Sequence, residues 1–329
     1  MITRARLAVA LTGLALVGSA LPGGGAGLAA AEGPVEDARQ AARRVPFTAR
    51  VEVSWVDQEG FHTAELTVRA VGGRISIQTA GEGGSSTTVR RDTDTAGQEA
   101  GGLLTPAVER KYQLVRRDGP EVAGRATDEV VLRSGGLVRE RLAVDKATGL
   151  VLQREVFGEG GRPVRVVRVL QLDTAPVPDE AVPGQAGSNA PKALEVSRLP
   201  SVYPAPAALA GGYRRLAAYR HSQVVHLLYT DGFHGLSLFS QPGDLVTRSL
   251  PRGGQVVRVG KAQGIRYTWP GGEVLTWQSG PMVHTLVGDA SADDMLVAAR
   301  SLPRPGRPSL LGRLLGTARV VGELVSGGR

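Results

Sequence analysis

"VVHLLYTDGFHGLSLFSQPG", residues 224–243, alternates apolar and polar side chains on both sides of an Asp-Gly pair. Alternation with period two marks a half-buried strand, and Asp-Gly is a strong two-residue turn signal. The stretch reads as an antiparallel hairpin turning at Asp231-Gly232. Thr230 then faces Phe233, Tyr229 faces His234, and Leu227 faces Leu236. Because successive strand side chains point to opposite faces, His226 and His234 fall on opposite sides of the sheet. They cannot share a metal or a proton relay, and Asp231 is taken up by the turn.

The same period runs through most of the chain. "PFTARVEVSW" (46–55) puts Phe47, Ala49, Val51, Val53 and Trp55 on one face. "FHTAELTVRAV" returns with Leu66 and Val68 in alternation, and "GGRISIQT" follows. From Lys111 a meander continues through "KYQLVRR", "EVAGRATDEVVLR", "LVRERLAV", "LVLQREVF" and "RPVRVVRVLQL". Turn signals such as "DGP", "SGG" and "DKATG" separate them at the spacing of an antiparallel sheet. "PVEDARQAARRV" ahead of these strands predicts a short helix, with Pro34 at its start and arginines in its last turn. One helix and seven or eight strands without βαβ alternation predict a curved antiparallel sheet. Residues 80–102, rich in Gly, Ser and Thr, are expected to form a mobile loop.

Residues 173–200 hold five prolines and no periodicity, so they predict an extended linker. A second domain, 201–304, contains the opening hairpin, further strands and a helix at "SADDMLVAARSLP". There Ser291 and Asp294 form an S-x-x-D start. Beyond Pro308, "SLLGRLLGTARVVGELV" sets Leu310, Leu311, Leu314, Leu315, Ala318, Val321 and Val325 along one helical stripe. This basic amphipathic tail, 305–329, either docks on the second domain or makes a peripheral contact with a membrane.

Residues 1–31 have the form of a signal peptide. Arg4 and Arg6 precede an apolar run, and "GLAAAEG" offers Ala29 and Ala31 to a signal peptidase. The run is shorter than the ~20 residues of a membrane span. An exported location, in the periplasm or on the outer side of the cell envelope, is therefore expected. The chain carries 39 Lys and Arg against 31 Asp and Glu, a net charge of +8, and no cysteine. Loss of Arg4 and Arg6 would leave +6. The arginines are scattered singly on strands with no aromatic pairs among them, which argues against nucleic acid. An anionic surface, membrane or acidic partner, is the better use of that charge, and a merely solvated face is the bland alternative.

No catalytic pattern is present. There is no G-x-S-x-G elbow, no phosphate loop and no H-E-x-x-H, and a cysteine nucleophile is impossible. His62, His221 and His284 stand singly on separate elements. Asp293 and Asp294 are explained by the helix start they occupy. No metal, no cofactor and no enzymatic activity are expected.

Taken together, "VPFTARVEVSW" (45–55), "ERKYQLVRRDGPEVAGRATDEVV" (109–131), "LAVDKATGLVLQREVF" (142–157), the 224–243 hairpin and "TWQSGPMVHTLVGDASADDMLVAARSLP" (276–303) resemble the sigma-E regulatory protein family MucB/RseB. The form resembled is the arginine-rich one seen in actinobacteria. The resemblance covers nearly all of the chain beyond residue 31. It implies an α+β protein. The N-terminal domain, 32–172, would be an antiparallel half-barrel packed on helices, similar to the LolA and LppX lipid carriers. The C-terminal domain would be a smaller antiparallel sheet with a helix. The resemblance also implies binding to the extracytoplasmic segment of a membrane anti-sigma factor, protection of that segment from proteolysis, and release by a lipid-like signal. A periplasmic lipid or lipoprotein carrier is the alternative. Val51, Val53, Trp55, Leu66 and Val68 are the candidates for an acyl-binding trough, and the same five read as core beneath the helix. Tyr229, Asp231, Phe233 and His234 are the candidates for a partner-binding hairpin.

Overall fold

The structure, a computed structural model, describes residues 38, 41, 44–71, 74–80, 86–92, 108, 110–158, 160–175 and 192–304. The expected signal peptide, most of the proline-rich stretch and the C-terminal tail lie outside these residues.

Two antiparallel sheets organise the molecule. The first consists of β1 (Phe47–Asp57), β2 (Gly60–Val71), β3 (Arg74–Ala80), β4 (Ser86–Asp92), β5 (Gln113–Asp118), β6 (Thr127–Ser134), β7 (Leu137–Asp145), β8 (Val151–Phe157) and β9 (Pro163–Asp173). Their order is β4-β3-β2-β1-β9-β8-β7-β6-β5, and the sheet curls into a half-barrel. Register shifts at Arg50/Val51, Leu132/Arg133, Ala143/Val144 and Val156/Phe157 mark bulges. Bulges increase local twist and bend a sheet, which helps this one curl.

The period-two reading of β1 and β2 holds. Val51 pairs with Leu66 and Ala49 with Val68, and all four are buried together with Val53, Leu152, Val167 and Val169. Ala41 and Val45 pack against this cluster. Ala38, Ala41 and Arg44 are helical, as are Val108, Arg110 and Lys111. These are the described parts of the helices expected beside the half-barrel.

Residues 80–102 are not wholly a loop. Residues 86–92 form β4, which pairs with β3 from Arg74↔Asp92 to Ala80↔Ser86. An edge strand is held by backbone hydrogen bonds to one neighbour, so a Ser/Thr-rich segment can be a strand without an apolar face to announce it. The first sheet therefore has nine strands, not seven or eight.

The second sheet consists of β10 (Lys192–Ala193), β11 (Ala208–Leu209), β12 (Tyr213–His221), β13 (Val224–Thr230), β14 (Gly235–Pro242), β15 (Gln255–Val259), β16 (Ala262–Trp269), β17 (Gly272–Ser279) and β18 (Met282–Gly288). Its order is β10-β12-β13-β14-β18-β17-β16-β15, with β11 also on β12. It too has nine strands, so the expected difference in strand number is absent. β10 and β11 are two residues each, too short to show a period. Helix α1 (Ala292–Arg300) covers one face through Met295, Ala298 and Ala299. Its start is the predicted one: the Asp294 amide donates to Ser291 Oγ at 3.3 Å.

The β13–β14 hairpin differs from the sequence reading by two residues. Thr230 pairs with Gly235, Tyr229 with Leu236 and Leu227 with Leu238, so Asp231–His234 form a four-residue loop. Side-chain hydrogen bonds explain the longer loop. The amides of Phe233 and His234 donate to Asp231 Oδ1 at 2.9 and 2.7 Å, and Thr230 Oγ1 donates to the His234 carbonyl at 2.8 Å. An Asp that satisfies two amides makes the wider turn, and Gly232 supplies a positive φ of 95°.

Candidate functional site

The hairpin loop is buried against the first domain. Phe233 is only 2% exposed and belongs to an apolar cluster with Ala38, Val108, Tyr112, Leu132, Leu142 and Val151, all from the first domain. Its ring meets Tyr112 edge-on at 6.0 Å, and the Arg154 guanidinium lies 5.2 Å from its centroid.

Around this wedge runs a buried network of charges. On β7, β8 and β9 the inward positions Leu142, Leu152 and Val167 are apolar, and two residues further along each strand stand Glu140, Arg154 and Arg165. Alternation sends these three to the same inner face, at one end of the half-barrel. Glu140 and Arg154 form a two-pronged pair. Arg154 Nε donates to Glu140 Oε2 at 2.7 Å and Nη2 to Oε1 at 2.8 Å. The second domain completes the network. His234 Nε2 donates to Glu140 Oε1 at 2.6 Å, and Arg154 Nη1 donates to Asp289 Oδ2 at 3.0 Å. Arg165 Nη2 donates to the Asp289 carbonyl at 2.5 Å, and the Gly235 amide donates to Asp289 Oδ1 at 2.9 Å. Asp231 Oδ2 accepts from Tyr112 Oη at 2.7 Å and from Lys111 Nζ, and His234 Nδ1 lies 3.1 Å from the same Tyr112 oxygen.

Unpaired burial of such groups would be prohibitive, and each is paired across the domain boundary. Burial alone would raise Asp231, but the charges and hydrogen bonds of His234 and Lys111 hold it far below the usual carboxylate range. Burial would lower His234, yet Glu140 and Asp231 carry it up to about 10, so it is an imidazolium at neutral pH. Against burial, Arg154 and His234 also keep Glu140 and Asp289 ionised. Four cations (Lys111, Arg154, Arg165, His234) thus meet three carboxylates (Glu140, Asp231, Asp289). Every carboxylate is engaged by arginine, lysine or imidazolium. Among the described residues no group of His, Cys, Asp or Glu is set to hold a metal ion. The arrangement couples two domains.

A crystal structure of MucB superposes on the chain with a TM-score of 0.50 and 21% identity, over 85% of this chain and 99% of that one. The chain has the fold of MucB. A crystal structure of MucB in complex with MucA(peri) gives 0.49 and 20%, over 83% and 98%, and the Pseudomonas aeruginosa MucA/MucB complex gives 0.46 and 20%, over 82% and 96%. No protein-family model and no curated protein sequence matches the chain.

Within this MucB fold the sequence candidates take definite places. Val51, Val53, Leu66 and Val68 are buried in the first core. Trp55 is partly buried at its end and stacks on His62 at 5.2 Å, while His62 Nε2 bonds Asp57 Oδ1 at 2.8 Å. A small apolar cleft opens beside them between Phe47, Ala49, Leu150, Leu152, Val169 and Leu172. Tyr229, Asp231, Phe233 and His234 are all turned inward. Tyr229 lies in the second core and donates to the Pro206 carbonyl at 3.0 Å, and the other three belong to the domain junction. Asp231 does more than turn the chain: Oδ1 serves the loop and Oδ2 serves the first domain. His226 lies away from this cluster, stacked on Phe239 at 4.2 Å.

Sequence reading missed Glu140, Arg154, Arg165, Asp289, Lys111 and Tyr112. One signal was available. Opposite charges at inward positions of adjacent strands, in phase with Leu142, Leu152 and Val167, require burial of a pair.

Proposed function

We propose that the chain is an extracytoplasmic, non-enzymatic regulator that binds the outer segment of a membrane anti-sigma factor, shields it from proteolysis and releases it when a lipid-like molecule binds. The observation that carries this reading is the MucB fold, present over 85% of the chain with both domains included. MucB itself is known in complex with MucA(peri). The sequence resemblance to the MucB/RseB family points the same way from the residues alone.

The domain junction supplies a route for the signal. A lipid entering the first domain at the cleft beside Leu150 and Leu152 would sit one or two residues along β8 from Arg154. Arg154 holds both Glu140 and Asp289, so a shift of β8 is felt in the second domain without any new contact. Binding of lipid and partner would then be coupled, and by linkage each must weaken the other by the same factor.

The test is a pair of titrations on the full chain. Affinity for a synthetic peptide of the anti-sigma factor's outer segment is measured with and without a lipid probe, and lipid affinity with and without the peptide. Equal and opposite factors support the regulator. Lipid binding that leaves peptide affinity unchanged would reduce the protein to a carrier, and no peptide binding at all would remove the regulatory reading.

A further inference from the structure

The second sheet has an inner face under α1 and an outer face that the described cores do not use. The strand registers line up one row across the outer face: Tyr219 on β12, His226 on β13, Phe239 on β14, then the threonine pair Thr285 and Thr276, then Ile265 on β16 and Val256 on β15. Rings stack along it, Tyr219 to His226 at 6.0 Å and His226 to Phe239 at 4.2 Å. Val256 is 65% exposed, and neither Phe239 nor Ile265 belongs to any apolar cluster among the described residues. The first domain's ion network meets the sheet end-on, at the β13–β14 loop and after β18, and leaves this row outside it.

The path of the chain names an occupant. Helix α1 ends at the β15 edge, where Arg300 Nε and Nη2 both donate to the Arg258 carbonyl at 3.2 Å. The chain therefore leaves the second domain beside Val256, with residues 305–329 still to come. Five residues lead from Arg304 to Ser309. At ~3.4 Å each they reach about 17 Å, enough to round the edge of a sheet layer of about 10 Å. The segment 309–325 then carries the apolar stripe from Leu310 to Val325. As a helix its 17 residues would measure about 25 Å. The row crosses seven strands, about 29 Å at ~4.8 Å per spacing. Start point, reach, length and apolar chemistry agree.

We propose that residues 309–325 lie as an amphipathic helix across the outer face of the second sheet. The Leu310–Leu311 end sits over Val256 and Ile265, the Val325 end points towards Tyr219, and Arg313, Arg319 and Glu323 face water. This inference stands apart from the proposed function and does not depend on it.

The absence of cysteine makes the test clean. In the full-length chain, Val256→Cys is combined in turn with Leu311→Cys, Arg313→Cys and Val325→Cys, and each double variant is oxidised mildly and followed by non-reducing gel and intact mass. Val256 is exposed, so its replacement leaves the fold intact. The 256–311 pair should close an intramolecular disulfide at least tenfold faster than the other two. Equal rates for all three, or no disulfide in any, would overturn the proposal. A disulfide between two chains would assign the face to a second copy instead. Anionic vesicles that capture the chain and abolish the 256–311 link would assign the stripe to a membrane.

Discussion

His234 Nε2 lies 2.6 Å from Glu140 Oε1, and the two residues belong to different domains, 94 positions apart in sequence. Both side chains are almost fully buried, at 2% and 0% exposure. The contact is a charged lock between two sheets that could otherwise move independently.

Removing one side of that lock should be costly. Glu140→Gln leaves Arg154 and His234 buried with one carboxylate too few, and breaking a buried pair in this way costs about 3–5 kcal/mol. Arg198→Ala, which removes the solvent-exposed pair with Glu195, should change stability by no more than ~0.5 kcal/mol. Urea unfolding of the two variants beside the parent checks the contrast. Equal costs would show that the junction is hydrated.

The hairpin should act as a wedge. Phe233→Ala empties a ring-sized space in the first domain's cluster, and such deletions cost about 3–5 kcal/mol. The loss falls at the boundary, so the domains should separate before either unfolds. Small-angle scattering should report a larger radius of gyration, with far-ultraviolet circular dichroism unchanged. Loss of β signal would place Phe233 in the folding of the first domain itself.

Junction stability should fall at both ends of the pH scale. The folded pKa of His234 is raised to about 10 from an ordinary 6.5. Its contribution is full below pH 6.5 and fades as pH rises through 10. Glu273, raised by burial to about 7 from 4.5 despite Arg266, adds a loss of the same sign between those values. Asp231, Glu140 and Asp289 are lowered, so their contributions are full above the ordinary carboxylate range and disappear on acidification. Melting temperature should peak near pH 5–6. The gap between parent and His234→Gln should be widest there and should close above pH 10. A constant gap across that range would mean that His234 is neutral.

The helix start offers a smaller, local effect. Ser291→Ala removes the acceptor for the Asp294 amide and should cost about 1 kcal/mol. Ser291→Asp should restore most of it. Thermal denaturation of the two variants distinguishes a cap from simple packing, which Asp would not rescue.

Sequence alone determined the elements and their faces. Alternation along β1 and β2 identified Val51, Val53, Leu66 and Val68 as inward, because side-chain direction in a strand depends only on the parity of position. It located the 224–243 hairpin and the Ser291 cap, since both are set by residues within a few positions of one another. It did not reveal β4, whose pairing rests on backbone hydrogen bonds to β3, nor the true loop length at 231–234. Asp231 can serve a two-residue or a four-residue turn, and the choice is made by what its second oxygen meets. That oxygen meets Lys111 and Tyr112, more than a hundred residues earlier in the chain. The domain junction was decided the same way. Glu140, Arg154 and Arg165 could be placed on an inner face from their phase, but a buried charge is tolerated only beside its partner. His234 and Asp289 reach them only when two separately folded sheets meet, a long-range event that no local pattern records.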